Sequence, residues 1–114
     1  MRLDLGDATA DFDAARSVMK IAGSLRLPSM SEYQKVRAFL DQAAGQAGAR
    51  LVIDLRELRF LNSAGITTLS MFVLARKHEG RLHLRIEGSR AAAWQEKSLG
   101  NFHKLWSDVD VAVE

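Results

Sequence analysis

Apolar and polar positions along the chain fall into short segments of two periods. In "ATADFD", residues 8–13, apolar side chains take every second position, and "RSVMKIAG", residues 16–23, resumes an apolar register after the small pair Ala14 and Ala15. A period of two suits strands, so these segments are expected to pair antiparallel at the edge of a sheet. Beyond Pro28 comes Ser31 with Glu32 close behind, and then Tyr33, Val36, Phe39, Leu40 and Ala43 recur at helical spacing. That pattern predicts an amphipathic helix with a serine start, stopped by Gly45 and Gly48. "RLVIDL", residues 50–55, is a continuous apolar run of strand length and reads as a central strand buried on both faces. "ELRFLN" carries the chain to Ser63, after which Ile66, Leu69, Phe72 and Val73 return to helical spacing. Arg76, Lys77 and His78 fall in the last turn, where cations complement the helix dipole, and Gly80 closes the helix. "RLHLRIEG" alternates again. "AAWQEKSLGNFHKLW", residues 92–106, places Trp94, Leu99, Phe102, Leu105 and Trp106 on one helical face interrupted by Gly100, and "DVDVAVE" supplies a last strand. The order of strand pair, helix, strand, helix, strand, helix, strand predicts an α/β fold with right-handed crossovers. The expected sheet is mostly parallel, of roughly four to five strands plus the antiparallel edge pair, flanked by about three or four helices.

Composition narrows the class without altering that architecture. A chain of 114 residues closes one hydrophobic core, so a single domain spanning residues 1–114 is expected. Apolar residues at 47% and charged residues at 26% are ordinary for a soluble globular domain. The net charge is +2 and the basic residues are scattered, as in "RKHEGRLHLR", without the basic run that tracks a nucleic acid. No nucleic-acid partner is expected. The absence of cysteine excludes disulfides, thiolate nucleophiles and cysteine metal sites, and suits the cytoplasm. The opening "MRLDLGDATADF" carries charges, and no stretch approaches the eighteen or so apolar residues of a span, so neither secretion nor membrane insertion is expected.

The candidate chemistry gathers at "FLNSAGITTLSMF", where a small polar and glycine cluster joins an apolar run to a helix. Ser63 there reads as an N-cap, its oxygen accepting from the first turn. Gly65 would let that turn pack closely on the sheet. A nucleophilic serine needs a base and an orienting acid, and no Gly-x-Ser-x-Gly elbow surrounds Ser63, so no catalytic residue is expected. His78, His83 and His103 lack metal-ligand spacing and read as surface residues, and neither a metal nor a cofactor is expected. Trp94, Phe102 and Trp106 read as core. Asp54 ends the "LVID" strand, the position of the phosphoacceptor in a receiver domain. A receiver also needs an acidic pair closing its first strand to hold magnesium, and "SVMKIAGS" has none.

"LVIDLRELRFLNSAGITTLSMFVLARK", residues 51–77, resembles the signature of STAS domains, the anti-sigma factor antagonist family. In that family an apolar strand ending in Asp-Leu leads through a hydrophobic junction with an Asp-Ser-x-Gly core into a helix. The chain is similar to a bacterial STAS-like branch in which Asn stands for the junction Asp and "GSLRL" precedes the first helix. The resemblance implies a STAS-like fold and a partner-switching protein without catalytic activity of its own. It implies that Ser63 is phosphorylated by an anti-sigma-factor-like serine kinase and dephosphorylated by a PP2C-type phosphatase. It places Asn62, Ser63, Ala64, Gly65 and Thr67 on the partner-binding surface. Two alternatives stand beside it: a STAS-type subunit docking on an ATPase or transporter without phosphorylation, and a receiver-like phosphoacceptor at Asp54.

Overall fold

The computed structural model describes residues 1–92 and 94–114. In chain order the elements are β1 (Arg2–Asp4), β2 (Ala8–Asp13), β3 (Val18–Leu25), α1 (Met30–Gln46), β4 (Arg50–Asp54), β5 (Leu58–Leu61), α2 (Ser63–Glu79), β6 (His83–Gly88), α3 (Gln95–Leu105) and β7 (Asp110–Val113). Ala93, inside the stretch expected to be helical, lies outside the described residues. The strands form one mixed sheet in the order β1-β2-β3-β4-β6-β7, with β5 also on β3. β2 pairs antiparallel with β1 and with β3, and the remaining pairings are parallel. The expected antiparallel pair is therefore β2 and β3, but β1 lies outside it and forms the true edge.

From β3 onward each crossover steps the same way along the sheet, through α1, α2 and α3 in turn. Crossovers of one hand that never reverse direction leave their helices on one face. The burial pattern bears this out. Met19, Ile21, Leu51, Ile53, Leu84 and Ile86 point into a single core shared with Phe39, Leu40, Phe72, Val73, Leu99 and Phe102 of the helices. The alternate positions Lys20, Val52 and Arg85 are half-exposed on the other face. This corrects the expectation for residues 50–55: β4 is central, but only one of its faces is covered.

Local chemistry moves several boundaries. Ser29, not Ser31, caps α1, its Oγ accepting from the Glu32 N–H at 3.4 Å, while Ser31 lies in the first turn. Gly45 does not stop α1, which runs through it to Gln46 and is closed at Ala47. Arg81 helps close it, its guanidinium donating to the carbonyls of Ala44, Ala47 and Gly48. Gly100 does not break α3. Gly80 does end α2, in the left-handed region at φ 71°.

The most consequential departure is "ELRFLN". It holds β5, which pairs with residues 23–25 of β3 just beyond the part of β3, residues 18–20, that pairs with β4. β4 and β5 thus lie end to end along one edge of β3, joined by a turn at residues 55–58. The wholly buried Gln95 holds this turn: its Nε2 donates to the Leu55 and Leu58 carbonyls at 2.6 and 2.8 Å, and its Oε1 accepts the Ser89 N–H at 2.8 Å. This pairing carries the chain to the end of β3, beside the start of α1, just where α2 begins.

Candidate functional site

The junction at the start of α2 is built from the cap outward. Asn62 is extended (φ −85°, ψ 177°), and its side-chain Oδ1 accepts the Gly65 N–H at 2.9 Å. Asn62 is therefore the N-cap, and Ser63 is the first helical residue; this corrects the reading of Ser63 as the cap. Both types cap well, and the local pattern does not choose between neighbours. Relieved of that role, Ser63 is exposed, and its hydroxyl has no hydrogen-bond partner among the described residues. The N–H groups of Ser63 and Ala64 are among the orphan donors of a helix start, and no acidic residue occupies the first turn. The last turn holds Arg76, Lys77 and His78.

The other expected partner-binding residues surround this point. Ala64 is half-buried against the core and Thr67 is exposed. Gly65 is buried, and a Cβ there would run into the Leu61 side chain, so the close packing expected of it is present. Next to Thr67, α1 and α2 leave a groove of about 120 Å³ lined by Met30, Tyr33, Thr67, Thr68 and Met71 among others. Met30 and Met71 are 59% and 51% exposed. Phe60, two residues before the cap, is 40% exposed, with the Arg26 guanidinium 4.7 Å from its ring centroid. Arg26, Met30, Phe60 and Met71 lie outside the residues expected at the partner-binding surface. Met71, an apolar residue on the outer side of an otherwise regular helix pattern, is the signal that was there to be read.

Helical spacing puts Tyr33 on the apolar face of α1, and the residue is 2% exposed. Its hydroxyl does more than fill space: it accepts the Leu27 N–H at 3.1 Å and donates to Asn62 Oδ1 at 2.5 Å. The loop between β3 and α1 is thereby tied to the cap of α2.

Asp54 lies away from this junction, at the end of β4 and facing the open side of the sheet. Asp54 is 6% exposed, and both carboxylate oxygens are engaged at 3.0 Å by the Arg56 guanidinium, with the Arg56 N–H on Oδ1 as well. Burial pushes its carboxyl up, but the Arg56 bonds and the charges of Arg56 and Lys20 outweigh burial and hold it below the ordinary value. A larger cavity of about 660 Å³ lies on this side, lined by Asp11, Asp13, Arg16, Lys20, Asp54 and Arg56. Its charges are of mixed sign, and Asp54 and Arg56 pair with each other, Lys20 with Glu57 and Asp11 with Arg2. His78, His83 and His103 are exposed; His83 bonds Asp110 and His103 the Val109 carbonyl. No group of three or more metal-binding side chains occurs among the described residues. Phe102 is core as expected, whereas Trp94 and Trp106 are half-buried. No helix among the described residues is long and apolar enough to cross a membrane.

These features define an α/β domain with helices on one face and an exposed hydroxyl at a helix start. The chain belongs to the STAS family: the family model described as "Mlab, STAS domain" matches residues 8–97. It shares its fold with SiaC of Pseudomonas aeruginosa, at TM-score 0.71 and 15% identity over 98% of this chain and 93% of that one. The apo form of SiaC superposes at TM-score 0.69, with 14% identity over 98% and 93% of the two chains. A chain from the crystal structure of the diguanylate cyclase SiaD in complex with its activator SiaC, also from P. aeruginosa, gives TM-score 0.73 at 13% identity, covering 100% and 99%. No curated protein sequence matches the chain.

Proposed function

We propose that this chain is a non-catalytic docking domain whose partner-binding face centres on Asn62, Ser63, Ala64, Gly65 and Thr67 and is switched by reversible phosphorylation of Ser63. The observation that carries this reading is the hydroxyl itself: exposed, unbonded, and free of the capping role because Asn62 holds it. A serine kinase would transfer the γ-phosphoryl group of ATP to Ser63 Oγ, forming the P–O bond as ADP leaves and the hydroxyl proton departs. A PP2C-type phosphatase would return the serine and inorganic phosphate by hydrolysis. At the first helical position the phosphoryl group meets orphan N–H groups and the positive end of the dipole, worth about 0.3 to 1 kcal/mol to the folded state. Carried into a partner interface without a matching cation, the same group costs several kcal/mol of desolvation, and each 1.4 kcal/mol or so is tenfold in affinity. The phosphoryl group therefore spares the fold and breaks the complex.

A second reading, docking on an ATPase or transporter without phosphorylation, uses the same face. It draws on the exposed Met30 and Met71 beside the junction and on the fold shared with SiaC, an activator found in complex with its cyclase. One experiment separates the two. The protein is incubated with ATP, magnesium and lysate of its source, and the phosphate is mapped by mass in wild type and Ser63→Ala. Acid-stable phosphoserine at Ser63, absent from the variant, is expected. If the partner retained by unmodified protein is held equally well by wild type, Ser63→Ala and Ser63→Asp, and no phosphate is found at Ser63, the unphosphorylated reading replaces the switch.

A further inference from the structure

Two hydrogen bonds meet on one oxygen at the start of α2, and their polarity follows atom by atom. The Tyr33 hydroxyl accepts the Leu27 N–H, so its single proton goes to its other neighbour, Asn62 Oδ1, 2.5 Å away. The Gly65 N–H reaches that same atom at 2.9 Å. Two donors converging on one position require an acceptor there, which fixes the Asn62 amide with its oxygen inward. Its other arm, Nδ2, donates to nothing among the described residues, and Asn62 is half-exposed directly before Ser63. A buried tyrosine on α1 thus decides which arm of a surface amide on α2 remains available.

We propose, resting on the phospho-switch reading above, that Tyr33 is a positioning residue for that switch: it keeps the Asn62 oxygen turned inward so that a donor, Nδ2, is what a phosphoryl group on Ser63 meets. A donor stabilises the dianionic phosphoryl group, whereas an outward oxygen, or the second carboxylate oxygen of an aspartate at this position, repels it. The Asn at residue 62 then has a chemical consequence. The junction tolerates full charge on phosphoserine better than a junction with aspartate, and Tyr33 is what makes the neutral amide behave that way. Without the hydroxyl the amide is held by the Gly65 N–H alone, and the orientation loses one of its two determinants.

The test needs no kinase. Phosphoserine is installed at residue 63 during translation, and the second ionisation of the phosphate is followed by phosphorus NMR in the otherwise wild-type chain and in Asn62→Asp, Tyr33→Phe and a chain with 3-fluorotyrosine at 33. Asn62→Asp is expected to raise that pKa by about one unit, a tenfold change in the proton equilibrium. Tyr33→Phe is expected to raise it by a smaller, resolvable amount and to move the Gly65 amide proton resonance. Fluorotyrosine, which keeps the hydroxyl, is expected to leave the wild-type titration in place. If Tyr33→Phe lowers thermal stability yet leaves the titration unchanged, the hydroxyl is only a loop staple and the proposal falls. An unmoved titration in Asn62→Asp overturns it equally, because Nδ2 then does not meet the phosphate. Should Tyr33→Phe not fold, Asn62→Asp still decides, since an unmoved titration there overturns the proposal. Failure to find a kinase would instead sink the switch while leaving this measurement intact.

Discussion

Asn62→Ala removes the one atom that accepts both the Gly65 N–H and the Tyr33 hydroxyl. Loss of an N-cap side chain costs about 0.5 to 2 kcal/mol. Stranding the proton of a largely buried hydroxyl costs about 1 to 3 kcal/mol. The two penalties share one oxygen and do not simply add, so the expected destabilisation is about 2 to 4 kcal/mol. For a chain of 114 residues the unfolding entropy near the melting temperature is roughly 0.24 kcal/mol/K, which places the drop in Tm at about 8 to 16 °C. Ser63→Ala, one residue on, removes an exposed hydroxyl with no partner among the described residues and inserts a better helix former. Its effect is expected within about 0.5 kcal/mol, or about 2 °C. Thermal and urea unfolding followed by circular dichroism, with the urea m-value unchanged, measures both. If Ser63→Ala loses as much as Asn62→Ala, or Asn62→Ala melts within 2 °C or so of wild type, the cap has been placed on the wrong residue and the hydroxyl is not free for a partner.

Gly65→Ala should destabilise by about 1 to 3 kcal/mol, because the new Cβ meets Leu61 and that side chain must leave its rotamer; a variant as stable as wild type in urea would show that the first turn of α2 packs more loosely than described. Asp54 has a folded pKa below its ordinary 3.8, so its contribution to stability is present above that value and disappears as pH falls through the lower, folded one. The stability gap between wild type and Asp54→Asn should therefore be widest near neutral pH and close in acid, and a gap constant with pH would mean that the Arg56 clasp does not favour the carboxylate.

What the sequence disclosed, and what it concealed, divides by the range of the interactions. Period-two and helical spacing mark α1, α2 and α3 and the strands β2, β3, β6 and β7, and a continuous apolar run marks β4, because each of those elements buries residues against one core. Strands β1 and β5 carry no strand pattern of their own: β1 has three residues, the four of β5 do not alternate in burial, and the existence of both rests on partners in β2 and β3. Ser29 and Ser31, like Asn62 and Ser63, are pairs of good caps within one or two residues of each other, and the choice between them depends on backbone direction set by β3 and β5. Gly45 and Gly100 look like helix stops, but Cβ-less residues on the outer side of a packed helix cost only about 1 kcal/mol each, which the buried faces of α1 and α3 exceed. Spacing puts Tyr33 on the apolar face of α1, but its hydroxyl meets Asn62 across 29 positions of sequence, a range no local pattern reports.

The uncovered side of the sheet bears on where a partner would sit. Parallel sheets usually bury both faces, and a bare one invites the thought that something else covers it. Here much of the charge on that side is matched within the chain: Lys20 pairs with Glu57, Asp54 with Arg56 and Arg85 with Glu87, and His83 bonds Asp110. Burying such a surface would desolvate paired ions and gain little in return. At the start of α2 the balance runs the other way. Met30, Phe60 and Met71 expose apolar area, the Ser63 and Ala64 N–H groups have no acceptor among the described residues, and the neighbouring hydroxyl is uncommitted. Covering the methionines releases water at about 25 cal/mol per Å² of apolar surface, and a serine hydroxyl adds only a small polar cost. A phosphoryl group at the same place adds up to two charges to that cost without removing any apolar contact. The face where association gains most is thus also the face where one covalent change reverses its sign.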